Sequence, residues 1–440
     1  MNRQEGIAQS WDTVGSSGFS AGSYAGYIYM TMDGIGTPYV VFQEGSSDKA
    51  TVMKYSGLMW EIVGIPEFSG GLVEGYQWIA IDRSGTPYVA FLDNINSNKA
   101  TVMKYNGSSW INIGSPGFSA GGAASTSIAI DTGGTPYVVY EDVPIGGTIY
   151  GPATVMKYNG SSWVNVGSPG FSAGSAFFTS IAIDNNGEIY VAYEDGQYGP
   201  ATVMKYNGSS WVTVGSADFS AGEAEYTSIA IWNDTPYVVY SDGATSIPGQ
   251  ATVMKYNGSN WVNVGSAGFS GGEAVYTSIA IDGSGTLYVV YTDYFYHGVT
   301  VTKFNGSNWD TVGAPGFGGD CDYTSIAINS SGIPYVAYQN VDGAATVMDF
   351  GTGSGSGTSV KEVNSTNNIQ IYPTPLSTTV HIKAPEKVNV TILNMVGQVV
   401  IEQQNTTDIN MSSIPNGVYI IKVYDENNLL LKTEKLVKAE

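Results

Sequence analysis

Basic and sulfur-bearing residues are nearly missing from this chain. Its 440 residues include two arginines (Arg3, Arg83), two histidines (His297, His381) and one cysteine, Cys321. A single cysteine permits no internal disulfide, so the redox compartment stays open. Charged residues amount to 12%, about half the usual share, and they are unbalanced, giving a formal charge of −21. Such a surface repels phosphate backbones and anionic lipid, which argues against nucleic-acid binding and a polybasic membrane dock. No apolar run approaches the roughly 20 residues a membrane-spanning helix needs. Met1-Asn2-Arg3-Gln4-Glu5 has no apolar stretch of the kind an export signal carries. What is abundant is glycine, 57 residues, with 12% aromatic and 42% hydrophobic residues. That balance suits a turn-rich all-β protein with a sizeable core and excludes wholesale disorder.

The sequence repeats. Trp11, Trp60, Trp110, Trp163, Trp211, Trp261 and Trp309 each open a W-x-x-V/I-G segment, at spacings of 48–53 residues. A second marker, A-T-V-M-K-Y, recurs from 50–55 to 345–350, and S-I-A-I-D-x-x-G-T-P-Y-V-V-Y lies between the two, as at 127–140. Each unit reads as four short strands rich in β-branched and aromatic residues, separated by turn chemistry. Asn-Gly after the third strand (Asn106-Gly107, Asn159-Gly160) predicts a two-residue type I′ hairpin. Asp-x-x-Gly between the first and second strands, as from Asp131 to Gly134, predicts a tight structural reversal. Four antiparallel strands in each of several consecutive units make the blades of a β-propeller.

Taper places the small-residue strand Ser-Ile-Ala-Ile at the axis and the Trp strand on the rim. The last unit lacks its rim strand, because Gly355 stands where the next Trp should be. The chain starts with a spare one, Trp11-Asp12-Thr13-Val14-Gly15. Both mismatches vanish if the N-terminal strand completes the seventh blade, which also removes an exposed sheet edge. The expected organisation is a seven-bladed propeller over 1–350, a Gly/Ser linker over 351–359 and a second all-β domain over 360–440, an immunoglobulin-like sandwich of about seven short strands.

The tail carries a resemblance. Ile369-Gln370-Ile371-Tyr372-Pro373-Thr374-Pro375 is similar to the Y-P-N-P opening of the type A C-terminal sorting domain of the bacterial type IX secretion system. The central strand 388–394 with its Gly397-Gln398 turn, the stretch 409–419 ending in Gly417-Val418-Tyr419, and the basic strand Lys435-Leu436-Val437-Lys438 follow in the family's order. Thr374 departs from the family's usual asparagine. The resemblance implies a sorting signal that includes Pro373, Gly397, Gly417, Tyr419 and Lys435, read by the type IX machinery. It also implies a cargo secreted from, or displayed on, a Bacteroidetes-type bacterium, with cleavage expected in the linker.

For the propeller, the loop face around the axis is the expected ligand site. One Phe per unit in a G-F-S-A-G context, Phe19 to Phe317, is expected to plug the gaps between blades. A second aromatic column, Tyr27, Tyr76, Phe178, Tyr226, Tyr276 and Tyr323, broken by Ser125, is expected just before each inner strand at the channel mouth. Nearby carboxylates are Glu74, Glu223, Glu225, Glu273, Asp320 and Asp322. The loops between second and third strands add Glu44, Asp93, Glu141, Asp142, Glu194, Asp195, Asp242 and Asp293. Aromatic faces with acidic acceptors suit sugar rings, and would equally suit a cationic peptide or a hard metal such as Ca²⁺; no other cofactor is expected. Enzyme readings fare worse. An arginine grip on a carboxylate and a multi-histidine copper centre both fail on inventory, and a nucleophile would have to share His297 or use the partnerless Cys321. The expectation is therefore a monomeric binding module, glycan-binding or adhesive. A glycoside hydrolase or lyase using paired loop carboxylates, or a purely structural interaction module, stands as the alternative.

Overall fold

The computed structural model describes residues 9–20, 24–73, 75–143, 150–244, 249–351, 370–372, 378–384, 387–394, 399–424 and 430–438. The chain divides into two compact units, Met1–Gly357 and Thr358–Glu440.

The first unit is a seven-bladed β-propeller. Blade 3 shows the pattern: Gly122–Ile130, Pro136–Val143, Ala153–Tyr158 and Trp163–Asn165 pair antiparallel in chain order. Blades 1, 2, 4, 5 and 6 span 25–62, 78–112, 176–213, 224–263 and 274–311 in the same order. Blade 7 takes 322–351, and its fourth strand is Ser10–Thr13 from the other end of the chain, with Trp11 opposite Phe350 and Thr13 opposite Met348. The inner strands neighbour one another around a closed circle, that of blade 7 meeting that of blade 1. The spare N-terminal strand thus closes the ring as the sequence predicts. The second strands are buried throughout, Val138 and Val139 at 0%, because each is sandwiched between two blades.

The rim tryptophans clamp the blades together. Each indole N–H donates to the carbonyl that ends the W-x-x-V segment of the preceding blade, at 2.7–2.8 Å in all seven cases, from Trp60 to Val14 around to Trp11 on Val312. Each indole also stacks on the preceding blade's G-F-S phenylalanine at 4.0–4.5 Å, so those phenylalanines do plug the gaps between blades. The glycine after the valine makes room. Gly167 has φ +72°, and a Cβ there would lie 3.0 Å from the rings of Trp211 and Tyr206.

Two turn types are distinguished. The Asp-x-x-Gly reversal is structural: Asp131 Oδ1 accepts from Gly133 and Thr135 N–H. The Asn-Gly hairpin is not a two-residue type I′ turn. Tyr105 pairs with Trp110, leaving four residues between them, and only Gly107 has positive φ. The asparagine works through its side chain instead, Asn106 Oδ1 accepting from Ser108 and Ser109 N–H. The geometry expected there occurs in blade 5 between the first two strands, where Asn233 (φ 46°) and Asp234 (φ 58°) turn the chain.

In the second unit two sheets share one core. Gln370–Tyr372, Thr379–Lys383 and Asp408–Asn410 form one sheet; Val399–Thr406, Val388–Asn394, Gly417–Tyr424 and Leu430–Lys438 form the other, in that spatial order. Val380 and Ile409 from the first pack with Ile392, Ile421 and Leu436 from the second, all fully buried. It is a small β-sandwich, with one strand, Asp408–Asn410, that the alternation in the sequence did not mark.

Candidate functional site

The aromatic column forms a collar on the propeller axis. The structure corrects its expected position: the residues lie within the inner strands rather than before them. In blades 1, 3, 4, 5, 6 and 7 a β-bulge interrupts the pairing, as between Glu225 and Ser228, and the bulged residue takes a left-handed backbone. Tyr27, Ser125, Phe178, Tyr226, Tyr276 and Tyr323 all have φ of 46–56°. A bulge breaks the two-residue alternation, so the strand reads from sequence as if it began after the aromatic. In blade 2, Gly75 holds the positive φ beside Tyr76.

The next residue locks each bulge. Thr126 donates to Tyr76 O (3.2 Å), Thr227 to Phe178 O (2.5 Å), Thr277 to Tyr226 O (2.7 Å), Thr324 to Tyr276 O (2.8 Å), and Gln77 Nε2 to Tyr27 O (2.8 Å). The rings then touch in sequence. Tyr76–Tyr27, Tyr27–Tyr323, Tyr323–Tyr276, Tyr276–Tyr226 and Tyr226–Phe178 have centroids 4.9–5.1 Å apart. Ser125 stands at the remaining place. The collar and the hydroxyl-bearing wall beneath it bound a cavity of about 80 Å³. Burial raises the phenols of Tyr76, Tyr226, Tyr276 and Tyr323, Tyr226 to about 12, so they act as neutral donors.

The loop carboxylates divide into two kinds. Asp93, Asp142, Asp195, Asp242 and Asp293 accept from the threonine of the third strand at 2.9–3.4 Å. Those threonines in turn accept from the N–H of Gly117, Gly170, Asp218, Gly268 and Gly316. These aspartates fasten loops. Glu225, Glu273 and Asp322 face the mouth, and burial raises each carboxyl, helped at Glu225 by Glu223 and Glu273 and at Asp322 by Asp320. Glu74 lies outside the described residues. Glu141 and Glu194 are buried at 1% and 2%, bonded to the N–H of Gly151 and Gly199, and burial pushes each up to about 7.

Sequence reasoning missed an open groove between blades 6 and 7 on the same face, of about 570 Å³. Tyr24 and Tyr294 flank it, 53% and 48% exposed, and His297, Asp320, Asp322, Asn340 and Asp342 line it. His297 Nδ1 lies 3.5 Å from Asp320 Oδ1, both exposed, so the pair is weak. Cys321 is buried in the wall with its thiol pushed up to about 12 by burial, which makes it inert. None of the flanking aromatics recurs from unit to unit, and the repeat pattern therefore hid them.

In the tail, Tyr419 is buried and its hydroxyl donates to Pro415 O at 2.7 Å, the tyrosine-corner geometry of β-sandwiches. Gly417 opens the strand that carries it, and Lys435 pairs with Ile420 on the terminal strand. Pro373 and Gly397 lie outside the described residues. Residues 370–439 match the family described as the secretion system C-terminal sorting domain. The tail is a type IX sorting domain. The sorting domain marks the chain as cargo of that system, exported to the cell surface or released from a Bacteroidetes-type bacterium.

No curated protein matches the chain. Among solved structures, a fungal alcohol oxidase of the AA5 family in complex with copper is similar over 98% of this chain and 100% of its own, at 11% identity and a TM-score of 0.53. The extracellular domain described as that of a hybrid two-component system of B. thetaiotaomicron is similar over 98% of this chain and 59% of its own, at 10% identity and a TM-score of 0.50. PorZ, a surface component of the type IX secretion system of Porphyromonas gingivalis, is similar over 93% of this chain, at 16% identity and a TM-score of 0.47; the chain spans 59% of its length. At these identities the first two bear on the fold alone. No helix among the described residues is long and apolar enough to cross a membrane.

Proposed function

We propose that the propeller is an exported binding module that holds a glycan in the groove between blades 6 and 7. The observation that carries this reading is the open groove itself, flanked by the exposed rings of Tyr24 and Tyr294 and lined by Asp320, Asp322, Asp342 and Asn340. Free aromatic faces stack on the C–H faces of a sugar, while carboxylates and amides take its hydroxyls. The collar residues expected from sequence to do this, Tyr226 and Tyr276 among them, spend their faces on one another. They sit beside the groove rather than replacing it: Asp322 is in its lining and Tyr323 is the next residue.

The enzyme alternative draws on Glu141 and Glu194, whose carboxyls titrate near neutrality. Those two occupy the place that Gln43 and Gln339 fill in blades 1 and 7, where the side chain ties neighbouring blades together. A structural role explains both, and binding is the simpler reading. A glycan array identifies the ligand, and Tyr294→Ala should weaken its binding at least about tenfold, as loss of an aromatic anchor does. Unchanged affinity would remove the groove, and cleavage of the bound polysaccharide would turn the module into an enzyme.

A further inference from the structure

The carboxylates of the loop face have no basic side chains among them over most of the ring. Between residues 106 and 350 the only lysines or arginines are Lys157, Lys205, Lys255 and Lys303. All four sit opposite Tyr137, Tyr190, Tyr237 and Tyr288, at the ends of the strands next to the Asp-x-x-Gly turns on the other face of the disc. Glu223, Glu225, Glu273, Asp320 and Asp322 therefore impose an uncompensated negative field over the collar mouth, which lies at the low-dielectric centre of a ring of aromatic side chains.

Beneath that mouth a polar group waits without a partner. Gln77 is 1% exposed and lines the axial cavity. Its Nε2 is committed to the carbonyls of Gly26 and Tyr27, and its Oε1 is buried with no hydrogen-bond donor. A buried acceptor left empty costs free energy, and a ligand that brings a donor recovers it. The cavity of about 80 Å³ holds only a handful of waters at roughly 10–15 Å³ each, so a slender head group fits and a sugar ring does not. No three His, Cys, Asp or Glu side chains among the described residues stand close enough to hold a metal ion. The acids ring the opening instead of converging on a point.

We propose that the axial collar is a cation cage that takes the ε-ammonium of a lysine side chain presented by a basic polypeptide. The Tyr27, Tyr226, Tyr276 and Tyr323 rings supply cation–π contact, Gln77 Oε1 accepts one N–H, and Glu225 and Glu273 steer the cation in. This site is separate from the glycan groove and does not rest on it.

The test titrates the full-length protein, by calorimetry, with Nα-acetyl-lysine methylamide and with its Nε-acetylated counterpart. The first has the charge; the second has nearly the same reach without it. The charged probe should bind, weaken as salt is added, and exceed the acetylated probe by at least about tenfold. Gln77→Leu, and separately the double change Glu225→Gln with Glu273→Gln, should each weaken it severalfold, while Tyr294→Ala in the groove should leave it unchanged. Equal affinity for the two probes, no binding of the charged one, or full affinity in both cage variants would overturn the cage. Loss of affinity in Tyr294→Ala would assign the probe to the groove and overturn it as well.

Discussion

Replacing Trp11 with alanine should lower the stability of the propeller by about 3–5 kcal/mol, the usual cost of truncating a large packed aromatic. Three contacts disappear at once. The indole N–H donates to Val312 O at 2.7 Å, the ring stacks on Phe317 at 4.5 Å, and it tilts against Phe350 at 5.3 Å. Every other rim tryptophan makes the same contacts within a continuous stretch of chain. Trp11 makes them across the joint between the two ends of the ring, in a fourth strand only four residues long. Its loss should therefore free the strand Ser10–Thr13 and expose the edge of Ala345–Gly351, where Trp163→Ala would only loosen an interior seam. Chemical denaturation of both variants decides the matter: Trp11→Ala should lose at least as much as Trp163→Ala and should aggregate more readily. A change within a few tenths of a kcal/mol would mean that the ring does not depend on its N-terminal strand.

The second large effect is on pH. Gln43 Nε2 donates to Val73 O at 2.9 Å, and Gln339 Nε2 to Ala25 O at 2.7 Å, each reaching the start of the next blade's inner strand. Glu141 and Glu194 hold that place in blades 3 and 4, and a carboxyl can donate to a carbonyl only when protonated. Burial raises each from 4.5 to about 7, with Glu225 and Glu223 adding to the effect at Glu194. The folded state thus binds these protons more tightly than the unfolded chain does. Their contribution is present at low pH and is lost as pH climbs from about 4.5 through 7, by up to about 3 kcal/mol for each carboxyl. The double variant Glu141→Gln with Glu194→Gln keeps a donor at every pH. It should match the parent near pH 5 and be several kcal/mol more stable near pH 8. Equal stability at both values would show that neither carboxyl is held protonated.

The ring was legible because its markers repeat. The spacing of the seven tryptophans sets the blade count, and the mismatch between Trp11 and Gly355 reveals the shared blade before any coordinates. The clamp in which each indole bonds the preceding blade was not legible, since hydrogen bonds to carbonyls leave no mark on residue type. The equivalence of Glu141 with Gln43 was readable from the aligned repeats, but acidity alone drew it into the list of surface acceptors. The collar was found as a set and misplaced by a few residues, because a left-handed bulge hides from an alternation rule. The groove was lost for the opposite reason. Tyr24 and Tyr294 lie in loops of different length, far apart in the chain, and only ring closure brings them together.

Ring closure therefore places every site described above, and a covalent link tests it most directly. Thr13 and Met348 face each other between hydrogen-bonded pairs of the shared blade, since Val14 N–H bonds Val347 O one residue away. Antiparallel positions of that kind lie about 4.5 Å apart at Cα, within disulfide reach. The variant Thr13→Cys with Met348→Cys should oxidise to an intramolecular disulfide in the folded protein and resist unfolding more strongly than its reduced form. Free thiols after oxidation, or a disulfide that joins two molecules, would contradict the closed ring.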